Sequence, residues 1–163
     1  MEIRKFLVKS MEKSICPHCQ SDLRVIGSRK RNLICEDGTK IILVVRRLRC
    51  KNELCNKIHH ELPNIIIPYK RHTTMTYERA IEGTDHIAPV ENSTLKRIRA
   101  WFKARADALI GGLLGTYVIV TNDFAVGLSN LPQSILKRIR YFVGPDEGWL
   151  KRVVHILVNN NKW

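Results

Sequence analysis

Apolar residues fall in short β-branched runs over the first 72 residues and recur at helical spacing over the remaining 91. Ile41, Ile42, Leu43, Val44 and Val45 form one such run, which leads through Arg46, Arg47, Leu48 and Arg49 into Cys50. Just before it, residues 36–39 (EDGT) put Asp-Gly at the centre of a tight turn, so the pattern predicts a β-hairpin. Ile65, Ile66 and Ile67, stopped by Pro68, predict a third strand.

Beyond His72 the period changes. Residues 76–82, closed by Gly83, predict a short capped helix, and a turn or short helix over residues 85–91 is broken by Pro89. From Asn92 or Ser93 as N-cap, Leu95, Ile98 and Phe102 lie at i, i+3 and i+7 and share one face of a helix running to Lys103. The run LIGGLLGTYVIV at 109–120 falls short of the roughly 20 apolar residues of a membrane helix and predicts buried core. Its Gly111, Gly112 and Gly115 either allow close helix packing or divide the segment. A further helix starts around residues 130–132, with Pro132 in its first turn, and ends at Gly144. A last one, capped by Asp146, spans about 147–159, where Trp149, Leu150, Val153, Val154, Ile156 and Leu157 form a broad band suited to a packed terminal helix or a homodimer contact through this C-terminal helix. The expected fold class is therefore α+β. A three-stranded ribbon over 1–72 precedes an all-α domain over 73–163, with a helix-turn-helix in about 74–109.

Charge adds a partner class. Of 163 residues, 28 are Lys or Arg and 15 Asp or Glu, a net +13 with pI near 9.9. Such an excess attracts polyanions, nucleic acid first. All five cysteines (Cys16, Cys19, Cys35, Cys50, Cys55) lie in the first, more basic part. An odd count, with an opening MEIRKFLVKSMEK too charged for an export signal, points away from a secreted disulfide scaffold and towards a reducing cytoplasm.

There, paired thiols predict a metal. Cys16 and Cys19 form a C-x2-C knuckle and Cys50 and Cys55 a C-x4-C knuckle, placed near the ends of the hairpin. Four soft ligands from two such knuckles suit one tetrahedral Zn2+, structural because no position is left open for water. Cys35, on the strand before the turn, is expected as a small buried side chain. His59 is the imidazole best placed to substitute for a thiolate, while His18 is expected to face solvent or a phosphate.

The polar face of the 92–103 helix carries Ser93, Thr94, Lys96, Arg97, Arg99 and Lys103. Short hydroxyls followed by forked and long cations suit a helix in the DNA major groove, and a solvated cationic face is the plainer alternative. The motif LKRIR occurs at 95–99 and again at 136–140, each followed by two aromatics. The second copy adds Lys137, Arg138 and Arg140 as candidate phosphate contacts, and Arg46, Arg47, Lys70 and Arg71 complete the set.

The ordered segments CPHC, RRLRC, ELPNIIIPYKRH, NSTLKRIRAWF and GWLKRVVHILVNNNKW resemble an uncharacterised bacterial family of zinc-ribbon, helix-turn-helix proteins. That family is similar to the N-terminal DNA-binding region of insertion-sequence transposases. The resemblance covers most of residues 16–163 and implies zinc on Cys16, Cys19, Cys50 and Cys55 and a reading helix over 92–103. The C-x4-C spacing of the second knuckle departs from the shorter one common in ribbons.

A transposase core needs clustered carboxylates holding two metal ions. After Lys103 the acids are Asp107, Asp123, Asp146 and Glu147, on segments without strand pattern, and no Gly-rich phosphate loop is present. The expected function is therefore binding of double-stranded DNA by a regulator or transposition accessory factor, nucleoid-associated in the cytoplasm. It would have no catalytic core, no small-molecule substrate and no membrane. RNA binding and docking on an acidic protein partner are the alternatives.

Overall fold

A computed structural model describes residues 4–11, 13–84, 90–123 and 128–163, and the chain divides into two compact units, Met1–Thr73 and Thr74–Trp163. The fold is α+β. Among the described residues, four strands are followed by four α-helices: β1 (Lys5–Val8), β2 (Leu23–Ile34), β3 (Lys40–Cys50), β4 (Ile58–His60), α1 (Thr74–Glu82), α2 (Asn92–Thr121), α3 (Ile135–Val143) and α4 (Trp149–Asn159).

In the first unit β2 and β3 pair antiparallel along nearly their full length, from Leu23 opposite Cys50 to Ile34 opposite Lys40. The Asp-Gly turn closes them: Gly38 has φ +82°, a left-handed conformation cheap only for glycine, and the amide of Thr39 donates to Asp37 Oδ1 at 2.8 Å. The other edge of β3 is shared by β1, parallel through Lys5–Val8, and β4, antiparallel through Ile58–His60. The sheet is thus four-stranded rather than three-stranded. Its added strands are 5–8 and 58–60, not 65–67. Ile66 and Ile67 are fully buried, but Ile66 forms only an isolated bridge to Thr73. Their segment packs over the sheet, and Ile66 joins Leu33, Leu43 and Val45 in the core. A buried apolar run reads alike as strand or as cover, because burial and not backbone pairing selects its residues.

In the second unit α2 is 30 residues long, roughly 45 Å at 1.5 Å per residue. The helix expected to stop near Lys103 continues through Gly111, Gly112 and Gly115, because its apolar seam does not stop: Leu95, Ile98, Phe102, Ala106, Leu109, Leu113 and Thr116 are all buried. By length and composition alone α2 is apolar enough to cross a membrane, a test that the core helix of a folded domain also passes. Here α2 packs against α1, α3 and α4.

One of the glycines is required. A Cβ on Gly112 would lie 2.8 Å from Leu157 Cδ2, in the buried face of α4, whereas one on Gly111 would meet nothing within 4 Å. Gly112→Leu is accordingly expected to cost about 1–3 kcal/mol through overpacking, and Gly111→Ala to gain about 0.5–1 kcal/mol from helix propensity. Urea titration followed by tryptophan emission measures both, and equal stability of the two variants would refute the close approach.

Helix ends differ from the sequence pattern where tertiary partners intervene. α1 starts two residues earlier, at Thr74, and α3 starts at Ile135 after a 3-10 turn at Leu128–Asn130. The turn expected at 85–91 lies largely outside the described residues. α4 begins at Trp149 with Gly148 as its N-cap, and Asp146 does not cap it. Glu78 of α1 does so instead: its carboxylate accepts the amides of Gly148 at 2.8 Å and Leu150 at 2.7 Å. Arg152 holds the turn before α4 by donating to the carbonyls of Val143 (2.6 Å), Asp146 (2.8 Å) and Glu147 (3.0 Å). The apolar band of α4 is turned into its own unit, with Trp149, Leu150, Val153 and Leu157 fully buried.

Candidate functional site

Both cysteine knuckles are built the same way. In the first, the Cys16 amide donates to Ser21 O at 2.9 Å, the Gln20 amide returns to Cys16 O at 2.8 Å, and Gln20 turns the chain with φ +59°. In the second, the Cys50 amide donates to Lys57 O at 2.9 Å, the Asn56 amide to Asn52 O at 2.8 Å, and Asn56 has φ +45°. The amide of Lys51 donates to Asp22 O at 3.0 Å and ties the two knuckles together. The longer C-x4-C loop reaches the same geometry because Asn52 folds it back, its side chain accepting from the Leu54 amide at 3.0 Å.

The four sulfurs converge. Cys16 Sγ is 3.7 Å from Cys55 Sγ and Cys19 Sγ 3.4 Å from Cys50 Sγ, and all four ligand atoms lie within 4.8 Å of one another. A tetrahedron with metal–sulfur bonds of ~2.3 Å has edges of about 3.8 Å, so the donor set fits a tetrahedral thiophilic ion. Cys16 and Cys50 are buried, Cys19 and Cys55 half-buried. Bonds from the Ser21 hydroxyl and amide pull the Cys19 thiol down to about 6, while burial pushes Cys50 up to about 12. Four adjacent thiolates repel one another, and a divalent cation among them removes that repulsion.

Around this cluster, His59 Nε2 is 3.5 Å from Cys16 Sγ, a neighbour of one sulfur beside a thiol set that is already four. Lys57 Nζ donates to His18 Nδ1 at 3.3 Å, and the His18 ring centroid is 5.8 Å from that of His59. Cys35 stands apart from the cluster. It is half-buried rather than buried, and burial raises its thiol pKa.

The candidate phosphate contacts separate into two groups. Arg46 forms a two-point pair with the nearly buried Glu61, at 2.5 Å from Nε to Oε2 and 2.7 Å from Nη2 to Oε1, which holds Glu61 below the usual carboxylate range. Arg99 donates to Ala80 O at 2.8 Å, Arg138 to Pro132 O at 2.5 Å, and Arg140 pairs with Glu82, which also accepts from Trp149 Nε1 at 2.7 Å. The last arginine of each LKRIR copy therefore grips the C-terminal end of α1. The repeat is a packing device in both copies, with Ile98 and Ile139 buried beside those clamps.

In the second group, Lys96, Arg97 and Lys103 are exposed along α2, Lys137 along α3, and Ser93 and Arg71 are exposed as well. Among the described residues Arg97 makes long local bonds, to Ser93 O at 3.3 Å and Thr94 Oγ1 at 3.4 Å. Thr94 and Lys70 are half-buried, and the Lys70 carbonyl accepts from Arg31 at 3.3 Å. Arg47 is half-buried on β3.

Sequence reasoning missed the acids that engage these cations and amides: Glu61, Glu78 and Glu82. Nothing in the local sequence marks them, since each meets its partner across 15 to 72 residues of chain. Sequence reasoning also passed over Arg24, Arg29 and Arg49: Arg49 alternates with Arg47 along β3, but Arg24 reaches the face of Arg29 only through the register shift between Val25 and Gly27, which no local pattern marks.

No curated protein and no solved structure matches the chain. A family model described as a domain of unknown function, DUF6431, matches residues 16–98, which is 83 of the 163 residues. The match opens on Cys16, the first cysteine of the four-sulfur cluster, takes in both knuckles and the whole of α1, and ends on buried Ile98 of α2. On that extent the chain belongs to the DUF6431 family.

Proposed function

We propose that this chain is a zinc-stabilised protein that binds double-stranded DNA, a regulator or transposition accessory factor without a catalytic core. Zinc, bound by Cys16, Cys19, Cys50 and Cys55, would supply cross-linking of the two knuckles and hence folding energy to a small ribbon-like unit. The second unit would act as a helix-turn-helix, with the first three turns of α2 entering the major groove. Ser93, Lys96, Arg97 and Lys103 would meet bases and phosphates there, whereas Arg99 orients the helix by holding α1. The reading agrees with the resemblance to transposase DNA-binding regions and with a nucleoid-associated, cytoplasmic setting.

The single observation that carries it is the exposed side of α2, where Lys96, Arg97 and Lys103 line up opposite buried Leu95, Ile98 and Phe102. Selection of bound duplexes from a random library, with affinity measured over a salt series, tests the proposal. Affinity should fall linearly with salt on logarithmic axes. Arg97→Ala should relax sequence preference by about 1–3 kcal/mol at one base pair. A flat salt response would refute DNA binding.

A second reading, single-stranded RNA, is favoured by Tyr69, which is 88 % exposed beside Lys70 and Arg71 with φ +66° and offers a ring for base stacking. Competition between duplex DNA and unpaired RNA separates the two.

A further inference from the structure

Residues directly opposite one another in a sheet project to the same face, and residues two apart on one strand do so as well. The register of the first unit therefore sorts its arginines. Arg24 lies opposite Arg49, Gly27 opposite Arg47, and Arg29 opposite Val45, while across the other edge of β3 His60 lies opposite Arg47. Arg47 and Arg49 are two apart on β3, and the register shift between Val25 and Gly27 brings Arg24 onto the face of Arg29. Arg24, Arg29, Arg47, Arg49 and His60 thus share one face. Rows of it are ~4.8 Å apart across the strands and ~6.7 Å apart along them.

The same face carries Val45 and Leu43 further along, where residues 62–70 cover it, and Arg31, which reaches the Lys70 carbonyl, marks the edge of that cover. The rest stays open. Gly27 forms its floor, and a Cβ there would meet nothing within 4 Å. Among the described residues no carboxylate pairs with Arg24, Arg29, Arg47 or Arg49. The Nε of Arg49 is buried with no hydrogen-bond partner, although a buried guanidinium nitrogen ordinarily has one. Burial, followed by the charges of Arg29, Arg47 and Arg31, keeps His60 from protonating at its usual pH, as expected where positive charge is dense and uncompensated.

We infer that this face of the sheet is the phosphate-binding surface of the first unit, in which Arg24, Arg29, Arg47 and Arg49 clamp successive phosphates of a nucleic-acid backbone over the Gly27 floor. The inference rests on the DNA-binding reading and moves the contact on this unit away from Arg46, which Glu61 already holds. Guanidinium groups at about one nucleotide's spacing match a sugar-phosphate strand in both charge and fork geometry.

The test uses the full chain and a labelled random-sequence duplex over a salt series. The triple variant Arg24→Gln/Arg47→Gln/Arg49→Gln is compared with Lys30→Gln/Lys40→Gln/Lys51→Gln, which removes equal charge elsewhere on the unit. The arginine variant should bind about 10- to 100-fold more weakly at low salt, with a salt slope reduced by about 0.9 for each phosphate that it no longer neutralises. The lysine variant should stay within about threefold of wild type. Equal weakening in both would overturn the inference and leave the DNA-binding reading standing. Wild-type protein that binds no duplex overturns both. Should the triple variant lose its metal or its fold, Arg24→Gln/Arg47→Gln, which spares the neighbour of Cys50, must show the same selective weakening.

Discussion

Cys50→Ala, or chelation of the ion proposed for the four sulfurs, is expected to unfold the first unit while leaving the second folded. Cys50 is the end of β3, where its amide closes the second knuckle, its sulfur sits 3.4 Å from Cys19, and its neighbour Arg49 pairs with β2 and β4. The apolar core beneath is small: Leu33, Leu43, Val45 and Ile66, with Val8, Ile41 and Leu62 against it. A unit of this size buries too small a share of its surface to be more than marginally stable, whereas a structural zinc site contributes on the order of 10 kcal/mol of apparent binding energy that disappears with the ion. Alanine removes one of four ligands and leaves three crowded thiols. The measurement is clean because Trp101, Trp149 and Trp163 are the chain's three tryptophans and all lie in the second unit. Hydrogen exchange should lose protection in β2 and β3, and tryptophan emission should not move. A metal-free chain that keeps slow exchange at Val45 and Leu48 would show that the sheet stands without the ion.

The second large effect is at Glu78. Its side chain is buried on α1, yet it accepts two amides at the start of α4, a helix end whose free N–H groups carry partial positive charge. Glu78→Ala leaves those donors buried without acceptors and opens a cavity, for an expected loss of about 3 kcal/mol. Glu78→Gln keeps one carbonyl but turns an NH2 towards the other amide, so its loss should be about 1–2 kcal/mol at neutral pH.

The pH dependence has a definite sign. Burial raises the Glu78 pKa above the ordinary 4.5, against the pull of the Gly148, Leu150 and Lys151 amides. A folded carboxyl with a raised pKa takes up its proton before the unfolded one. The linked stability is therefore fully present below the unfolded value and is lost as pH rises through the folded value. Wild type gains this contribution on acidification and the glutamine variant does not. The gap between them should widen as pH falls towards 4.5 in urea titrations followed by tryptophan emission. A gap that narrows would mean that the amides outweigh burial and that the carboxylate is the favoured form.

How far such features can be read from the chain depends on the range of the interaction that makes them. The Asp-Gly turn at Gly38 was legible because its left-handed φ and its side-chain bond lie within four residues. So was the α+β order, since β-branched runs and helical spacing are local patterns. The four-cysteine cluster was legible too, since two thiol pairs near the ends of a predicted hairpin are bound to meet, and the β2–β3 ladder does carry Cys50 back beside Cys19.

Other features were not legible. A run such as Ile65–Ile66–Ile67 carries the same apolar signal whether it pairs as a strand or lies across one, and the edge of β3 was taken instead by β1 and β4. LKRIR looks twice like a free cationic face. In both copies its last arginine is engaged, because α1 brings the Ala80 carbonyl and Glu82 to meet it.

By itself the sequence determined which residues form a hairpin, which cysteines come in pairs and which side of α2 is apolar, because each is set by neighbours along the chain. Tertiary structure alone decided which cations remain free. An arginine becomes a clamp or stays available to solvent according to whether folding delivers an acceptor to it, and those acceptors arrive from distant parts of the chain.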